Sequence, residues 1–358
     1  QEQQLQKLKA VVKNTQRKIE LTEDELSDVY KYIEKLPSER QINKALVGHY
    51  PFDKIDQIKK NSIQKHGYFI ADKNLNVKSS KSPNLVEGVV GNAFEFKSDY
   101  DRISINKEIP NFEWTEAFTV SLWAQTNQKK KNKRQFLLGT TGGKNNWWRG
   151  WDFYLDDENY LNLRLINIAP GNMIHIKSRD SVNINEWSHY AFTYNGAGKA
   201  KGIKLYKDGV PFDFKIKIDN LSKSIKPVTA SGLKLEKRPV LVGKTYEGST
   251  GDNGLFMGKM DDLRIFKNAL TLLEVKILYN KYSKKKSSFD KGLIKDYWIK
   301  SHPKYNSLKK ELLENLSAWQ KAIEPVLEVM VMKEMNEPRK TYLYNRGNYN
   351  EPSQEVSV

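Results

Sequence analysis

The densest run of side chains able to hold a ligand is Trp147-Trp148-Arg149-Gly150-Trp151-Asp152-Phe153-Tyr154. Indole and phenol faces stack on the apolar faces of sugar rings, while arginine, aspartate and asparagine hydrogen-bond the hydroxyls. Read as a strand, the run places Trp151 and Phe153 on one face and turns Trp148, Asp152 and Tyr154 away from it. A sandwich buries alternate positions, so Trp151 and Phe153 are expected in the core. Trp147, Trp148, Arg149 and Tyr154 are then the candidate ligand-binding residues.

Other residue types that carry chemistry are sparse. The chain has no cysteine, which removes disulfides, thiolate nucleophiles, cysteine-ligated zinc and covalent haem attachment. The five histidines, His49, His66, His175, His189 and His302, contain no i, i+4 pair, and no Gly-x-Ser-x-Gly elbow is present. His49 and His189 fall in strand-like segments and read as packed or rim side chains. Gly139, Gly142 and Gly143 lack the lysine and helix of a phosphate loop. The acidic cluster Asp156-Asp157-Glu158 has the setting of a turn. No catalytic residue is assigned.

A formal net charge of +17 suggests an anionic partner or a solvated lysine-rich surface. Lysines occur along most of the chain and gather at 129–131 and 284–286, without the basic stripe and interleaved aromatics of a nucleic-acid tracker. Nucleic acid is therefore not the expected partner. No run of eighteen apolar residues exists, so no transmembrane segment is expected. The chain starts at Gln1 with no signal-peptide pattern and reads as a processed product or a fragment.

The elements that must position these residues change character along the chain. Residues 1–43 have helical period, with Leu5, Leu8, Val12 and Ile19 near one face. Thr22 and Glu25 then form a capping-box pattern ahead of Leu26, Val29, Tyr30, Ile33 and Leu36, and Pro37 ends the stretch. Residues 44–283 read as short strands, among them 93–96, 118–124, 160–165, 187–194 and 203–206. Asn145-Asn146, Asp156-Asp157, Asn195-Gly196 and Asp208-Gly209 separate them, the last as a hairpin turn. Segments 128–134 and 213–237 are lysine-rich and read as loops or hairpin extensions. Thr271 and Glu274 make a second capping box, 281–288 reads as a polar linker, and 304–323 is amphipathic through Leu308, Leu312, Leu316, Trp319 and Ile323. The flanking helices either pair with each other, with the sandwich inserted between them, or pack on a separate partner domain. Residues 325–358 read as the opening of another domain.

The ordered set LVGHYPFD at 46–53, GNAFEF at 91–96, FTVSLWAQ at 118–125, NEWSHYAFTYNG at 185–196, IKLYKDGV at 203–210 and GKMDDLRIFKNALTLLEV at 258–275 resembles laminin-G-like, concanavalin-A-like jelly-roll domains. The resemblance implies a mainly β fold, a two-sheet antiparallel sandwich with flanking α-helices. Glucanases on this general fold carry Glu-x-Asp-x-x-Glu on one strand, and no such strand is present. Related sandwiches often bind calcium near strand ends, which makes Asp53 and Asp261 the candidate metal ligands. The competing reading has Asp261 or Asp262 pairing with Arg264 or capping a turn.

Residues 328–356, through Met330-Val331-Met332, Pro338-Arg339, Arg346-Gly347 and Glu355-Val356, resemble the start of a domain of unknown function from large bacterial proteins. Those proteins carry planctomycete-type cytochrome c domains and often a laminin-G-like insert, so the chain is similar to a middle portion of one. The haem-attachment motif is missing, so no haem and no electron transfer are expected here. The resemblance implies an extracytoplasmic place, in the periplasm or at the bacterial cell surface, within a larger envelope complex. Two function classes follow: a non-catalytic recognition module for a glycan or other extracellular ligand, and a structural or protein-docking insert.

Overall fold

Alternation of inward and outward side chains builds the strands, and α-helices flank them. In chain order come α1 (Glu2–Val29), α2 (Glu39–Ile42), β1 (Leu46–Tyr50), β2 (Leu75–Lys78), β3 (Asn84–Glu87), β4 (Asn92–Phe96) and β5 (Arg102–Ile105). Next are β6 (Phe118–Thr126), β7 (Gln135–Gly139), β8 (Gly150–Leu155), β9 (Tyr160–Ile168), β10 (Asn172–Ser181) and β11 (Ser188–Tyr194). Then follow β12 (Ile203–Lys207), β13 (Val210–Pro211), β14 (Phe214–Asp219), β15 (Val240–Val242) and β16 (Gly258–Phe266). The helices α3 (Leu272–Tyr282), α4 (Lys291–Ser301) and α5 (Pro303–Ile323) close this part, and β17 (Thr341–Tyr344) and β18 (Pro352–Val356) follow. The computed structural model describes residues 2–29, 36–53, 75–78, 84–97, 101–105, 111–127, 134–141, 148–228, 239–244, 254–284, 289–327, 341–344 and 352–356. They fall into two units, Gln1–Glu324 and Pro325–Val358.

Two sheets make the sandwich in the first unit. One runs β13-β12-β11-β6-β16-β4-β3, with β1 also on β16; the other runs β14-β10-β9-β8-β7-β15-β5-β2. Neighbouring strands are antiparallel throughout, so the two-sheet antiparallel sandwich expected from the sequence is the fold. Between the sheets, Trp151 and Phe153 are 1% and 0% exposed, as alternation along β8 requires. Phe118, Phe192, Trp151 and Phe153 meet there at centroid distances of 5.2–5.9 Å. The β12–β13 turn has Asp208 at φ 52° and Gly209 at φ 72°, the two left-handed residues of a tight hairpin.

Strand β16 serves two neighbours on one edge: β4 pairs with its first half and β1 with its second. Where they meet, the register against β6 slips between Asp261 and Arg264, and Asp262 takes φ 43°. This bulge sends the two adjacent aspartates to different tasks.

Helix α3 starts at the Thr271/Glu274 capping box and covers the outward face of the first sheet. Ile42, Ala191, Tyr206, Phe266, Leu270, Val275 and Leu278 form a second apolar cluster there. Helices α1 and α5 pair, with Thr15 Oγ1 taking a hydrogen bond from Asn315 Nδ2 at 3.2 Å and Lys304 Nζ on Glu25 at 2.5 Å. Ile19, Leu312 and Leu316 of this pair join the sandwich core itself.

Three sequence expectations are corrected. Helix α1 passes through Thr22 without a break, because no glycine or proline interrupts it and buried Ile19, Thr22 and Leu26 extend one face. Helix α3 continues to Tyr282, and α4, capped by Asp290 on the Leu293 N–H, fills 291–301 where no element was expected. Within 213–237, residues 214–219 are strand β14 instead of loop. In the second unit, β17 and β18 pair antiparallel; 328–340 and Arg346-Gly347 lie outside the described residues.

Candidate functional site

Of the four candidate ligand residues, the three described, Trp148, Arg149 and Tyr154, are not brought together. Trp147 lies outside the described residues. Trp148 is half-buried in the left-handed conformation, φ 58°, at the approach to β8. Gly150 follows at φ 140°, where a Cβ would come 2.8 Å from the Thr140 backbone. Arg149 is turned inward, its side chain 16% exposed, with Nη1 3.9 Å from Glu324 Oε1. Burial pushes its guanidinium below the ordinary value, against the pull of Glu324 and Glu113. Glu113 accepts from Ser224 Oγ at 2.6 Å and the Ile225 N–H at 2.9 Å, so Arg149 joins a strut between the sheet end and α5.

Tyr154 sits elsewhere, on the outward face of the second sheet. Strand register builds two rows of side chains across that face. One row is Phe136, Tyr154, Asn162, Lys177 and Lys215; the other is Asp152, Arg164 and His175. Arg164 donates from Nε to Asp152 Oδ1 at 2.9 Å and from Nη2 to Oδ2 at 2.6 Å, a bidentate pair over a carboxylate that is 0% exposed. The guanidinium also lies 4.8 Å from the Tyr154 centroid, and Phe136 stacks on Tyr154 at 5.0 Å and 26°. Tyr154 is left 3% exposed, so its ring holds Arg164 and offers no open stacking face.

Around this pair the polar groups are oriented. Asn162 Nδ2 donates to the Tyr160 carbonyl at 2.9 Å and to Asp156 Oδ2 at 3.2 Å. That turns Asn162 Oδ1 toward His175 Nε2, 2.9 Å away, and makes Nε2 the protonated nitrogen. Burial, then the charges of Arg164, Arg134 and Lys217, lower the His175 pKa to about 4 against the pull of Asp152, so the imidazole is neutral at pH 7. Lys177 Nζ binds Asp156 Oδ2 at 2.8 Å and stands 4.2 Å from the Tyr160 centroid. Burial alone would raise Asp156; the Lys177, Tyr160 and Asn162 hydrogen bonds outweigh it and hold the carboxyl below its ordinary value. The arrangement offers fixed donors to a ligand, with Asp152 and Asp156 each held by a cation.

Sequence reasoning missed Phe136, Asn162, Arg164, His175 and Lys177. The available signal was polar residues at alternate positions of 160–165 and 173–177; which strands lie side by side was not readable.

Asp53 and Asp261 both bind the turn between β3 and β4, each at different backbone N–H groups. Asp261 Oδ2 accepts from the Val89 and Val90 N–H groups at 2.8 and 2.9 Å, and Oδ1 from the Asp262 N–H at 2.6 Å. Asp53 Oδ1 accepts from the Asn92 N–H at 2.9 Å. Calcium requires six to eight oxygens. These carboxylate oxygens instead face N–H dipoles, and among the described residues no three acidic or histidine side chains group together. The pair as placed does not fit a calcium site. Burial lifts the Asp261 pKa to about 7 although three N–H groups oppose it. Asp262 faces the other way, onto Arg264 at 3.1–3.2 Å and His49 Nε2 at 2.6 Å.

The family model described as the concanavalin A-like lectin/glucanases superfamily matches residues 97–276. Comparison with curated proteins gives no match. Among solved structures, the binding domain of Paraclostridial Mosquitocidal Protein 1 is 19% identical, with a TM-score of 0.46, covering 68% of this chain and 53% of that one. Botulinum neurotoxin type C, studied for its interaction with two ganglioside molecules, is 17% identical, with a TM-score of 0.44, covering 69% and 53%. The chain thus spans about half the length of these solved chains. The match over half of the sequence, on two packed antiparallel sheets, places the chain in the concanavalin A-like lectin/glucanases superfamily, and it belongs to that family.

Proposed function

We propose that the sandwich is a non-catalytic recognition module that binds carbohydrate on the outward face of its second sheet, around Arg164 and His175. The observation that carries this reading is the pair of cross-strand rows, which preorients donors and acceptors on rigid strands. Glycoside hydrolysis needs two carboxyl groups free to act as acid and as base or nucleophile. Asp152 is buried under Arg164, and Asp156 is tied to Lys177. A neutral His175 has no proton to give as a strong acid at pH 7. The lectin side of the superfamily accords with this role. The resemblance of 328–356 supports an extracytoplasmic setting, within a larger envelope protein.

A glycan array probed with the full chain and with His175→Ala and Lys177→Ala tests the proposal. Binding by the wild type that both variants weaken, with both variants still folded at the assay temperature, is the expected result. Binding that neither variant alters moves the site, with Trp148 the next place to examine. A wild type that binds no glycan favours the protein-docking insert.

A further inference from the structure

We infer that the ligand of this face is an acidic glycan, one whose sugars carry carboxylate or sulfate groups, an inference that rests on the carbohydrate reading above. Neutral sugars are commonly held by open aromatic faces. Here the rings on the face are already covered. Tyr154 lies between Phe136 and Arg164, Phe136 is 4% exposed, and Tyr160 carries the Lys177 ammonium. What the rows turn outward is charge. Lys177 is followed in its row by Lys215 on β14, and Lys215 and Lys217 are both exposed. Arg134 stands 5.7 Å from the Tyr154 centroid, and its charge, with those of Arg164 and Lys217, reaches His175.

The acids of the same face do not cancel this field toward a ligand. Asp152 lies beneath Arg164, and Asp156 and Glu158 converge on Lys177. Among the described residues, Arg164, Lys177, Lys215 and Lys217 share this face with Asp152, Asp156 and Glu158, the first of them fully buried. Cations set on a rigid sheet form charge-assisted hydrogen bonds with carboxylates and sulfates, while neutral His175, held by buried Asn162, suits an intervening hydroxyl. Burial is the larger cause of the depressed His175 pKa, and the positive charges of Arg164, Arg134 and Lys217 add to it.

The test is calorimetric titration of the full chain with oligogalacturonate and chondroitin sulfate hexasaccharides, maltohexaose and chitohexaose as neutral controls, and polyglutamate as a non-sugar polyanion. Either acidic hexasaccharide is expected to bind at least about tenfold more tightly than the neutral ones, with affinity falling as salt rises. The double variant Lys215→Glu/Lys217→Glu, at exposed positions, is expected to lose about tenfold or more in affinity without a change in melting temperature. Bound acidic glycan should raise the His175 pKa in an NMR titration. Neutral glycans binding equally well, polyglutamate binding as tightly as the acidic sugars, or an unaffected double variant would overturn the inference and leave carbohydrate recognition standing. Failure of every glycan to bind would overturn the carbohydrate reading itself.

Discussion

The outward faces of the two sheets carry nearly the same chemistry and end in opposite states. Each holds an arginine–aspartate pair, Arg264 with Asp262 on the first sheet and Arg164 with Asp152 on the second. Each holds a histidine, His189 or His175, whose pKa is lowered to about 4 with burial as the main cause. On the first sheet a roof closes over them. Arg264 is 1% exposed and donates also to Glu39 of α2 at 3.1 Å and to Tyr282 of α3 at 3.2 Å. His189 lies 2.8 Å from Ser121 Oγ, and Tyr279 of α3 stacks on Trp123 at 5.6 Å. On the second sheet the partners named for Arg164, His175 and Lys177 come from neighbouring strands and the β8–β9 turn, and lysines line the edge. Polar groups on the first sheet face become structure because a helix covers them; those on the second are the ones proposed to meet a ligand.

The largest expected effect is Arg264→Ala, which leaves buried Asp262 facing the His49 imidazole without its arginine and should cost about 3–5 kcal/mol in urea unfolding. Arg164→Ala should cost about 3 kcal/mol, the low end of that range, since its side chain reaches solvent, and should also lower glycan affinity. Equal affinity losses in both variants would erase the distinction between the faces.

The pH dependence of stability comes next. His189 accepts a proton in the unfolded chain at its ordinary pKa of 6.5 but in the folded state only near 4. Below pH 6.5 the unfolded state therefore binds more protons, and stability falls as pH drops toward 4, by about 3 kcal/mol for this group. His175 acts in the same window and direction. Asp261, raised to about 7, acts oppositely: its folded form holds a proton that the unfolded chain releases, so stability falls as pH rises between about 4 and 7. Comparing His189→Gln with the wild type at pH 7 and pH 4.5 isolates the histidine; an unchanged difference in stability would show that His189 is not excluded from protonation.

Asp261→Asn should destabilise by about 1–3 kcal/mol, because an amide puts an N–H where the carboxylate accepts from a backbone N–H. Millimolar calcium should leave the wild-type melting temperature unchanged, and a rise abolished in Asp261→Asn would restore the metal site. The smallest expected effect on stability is Lys177→Ala, about 1 kcal/mol for a partly buried pair, while glycan binding should fall.

Legibility from sequence followed the range of the interaction. Alternation put Trp151 and Phe153 in the core, and Asp208-Gly209 and the Thr271/Glu274 box announced their turn and helix start, because each depends on residues close in the chain. The Thr22/Glu25 box shows the converse: the same local pattern was overridden by burial along a continuous helix face.

Composition, strand alternation, turn residues and the ordered strand motifs determined the two-sheet sandwich with helical flanks, since backbone geometry and side-chain polarity act over a few residues. Tertiary structure alone decided that Tyr154 lies under Arg164, that Arg149 turns in toward Glu324, and that Asp261 caps a turn while Asp262 faces Arg264. It also decided that α3 roofs one sheet face and leaves the lysine-edged rows of the other supported by strands. Those outcomes hang on which strands become neighbours and in what register, and a shift of one residue reverses every side chain on a strand.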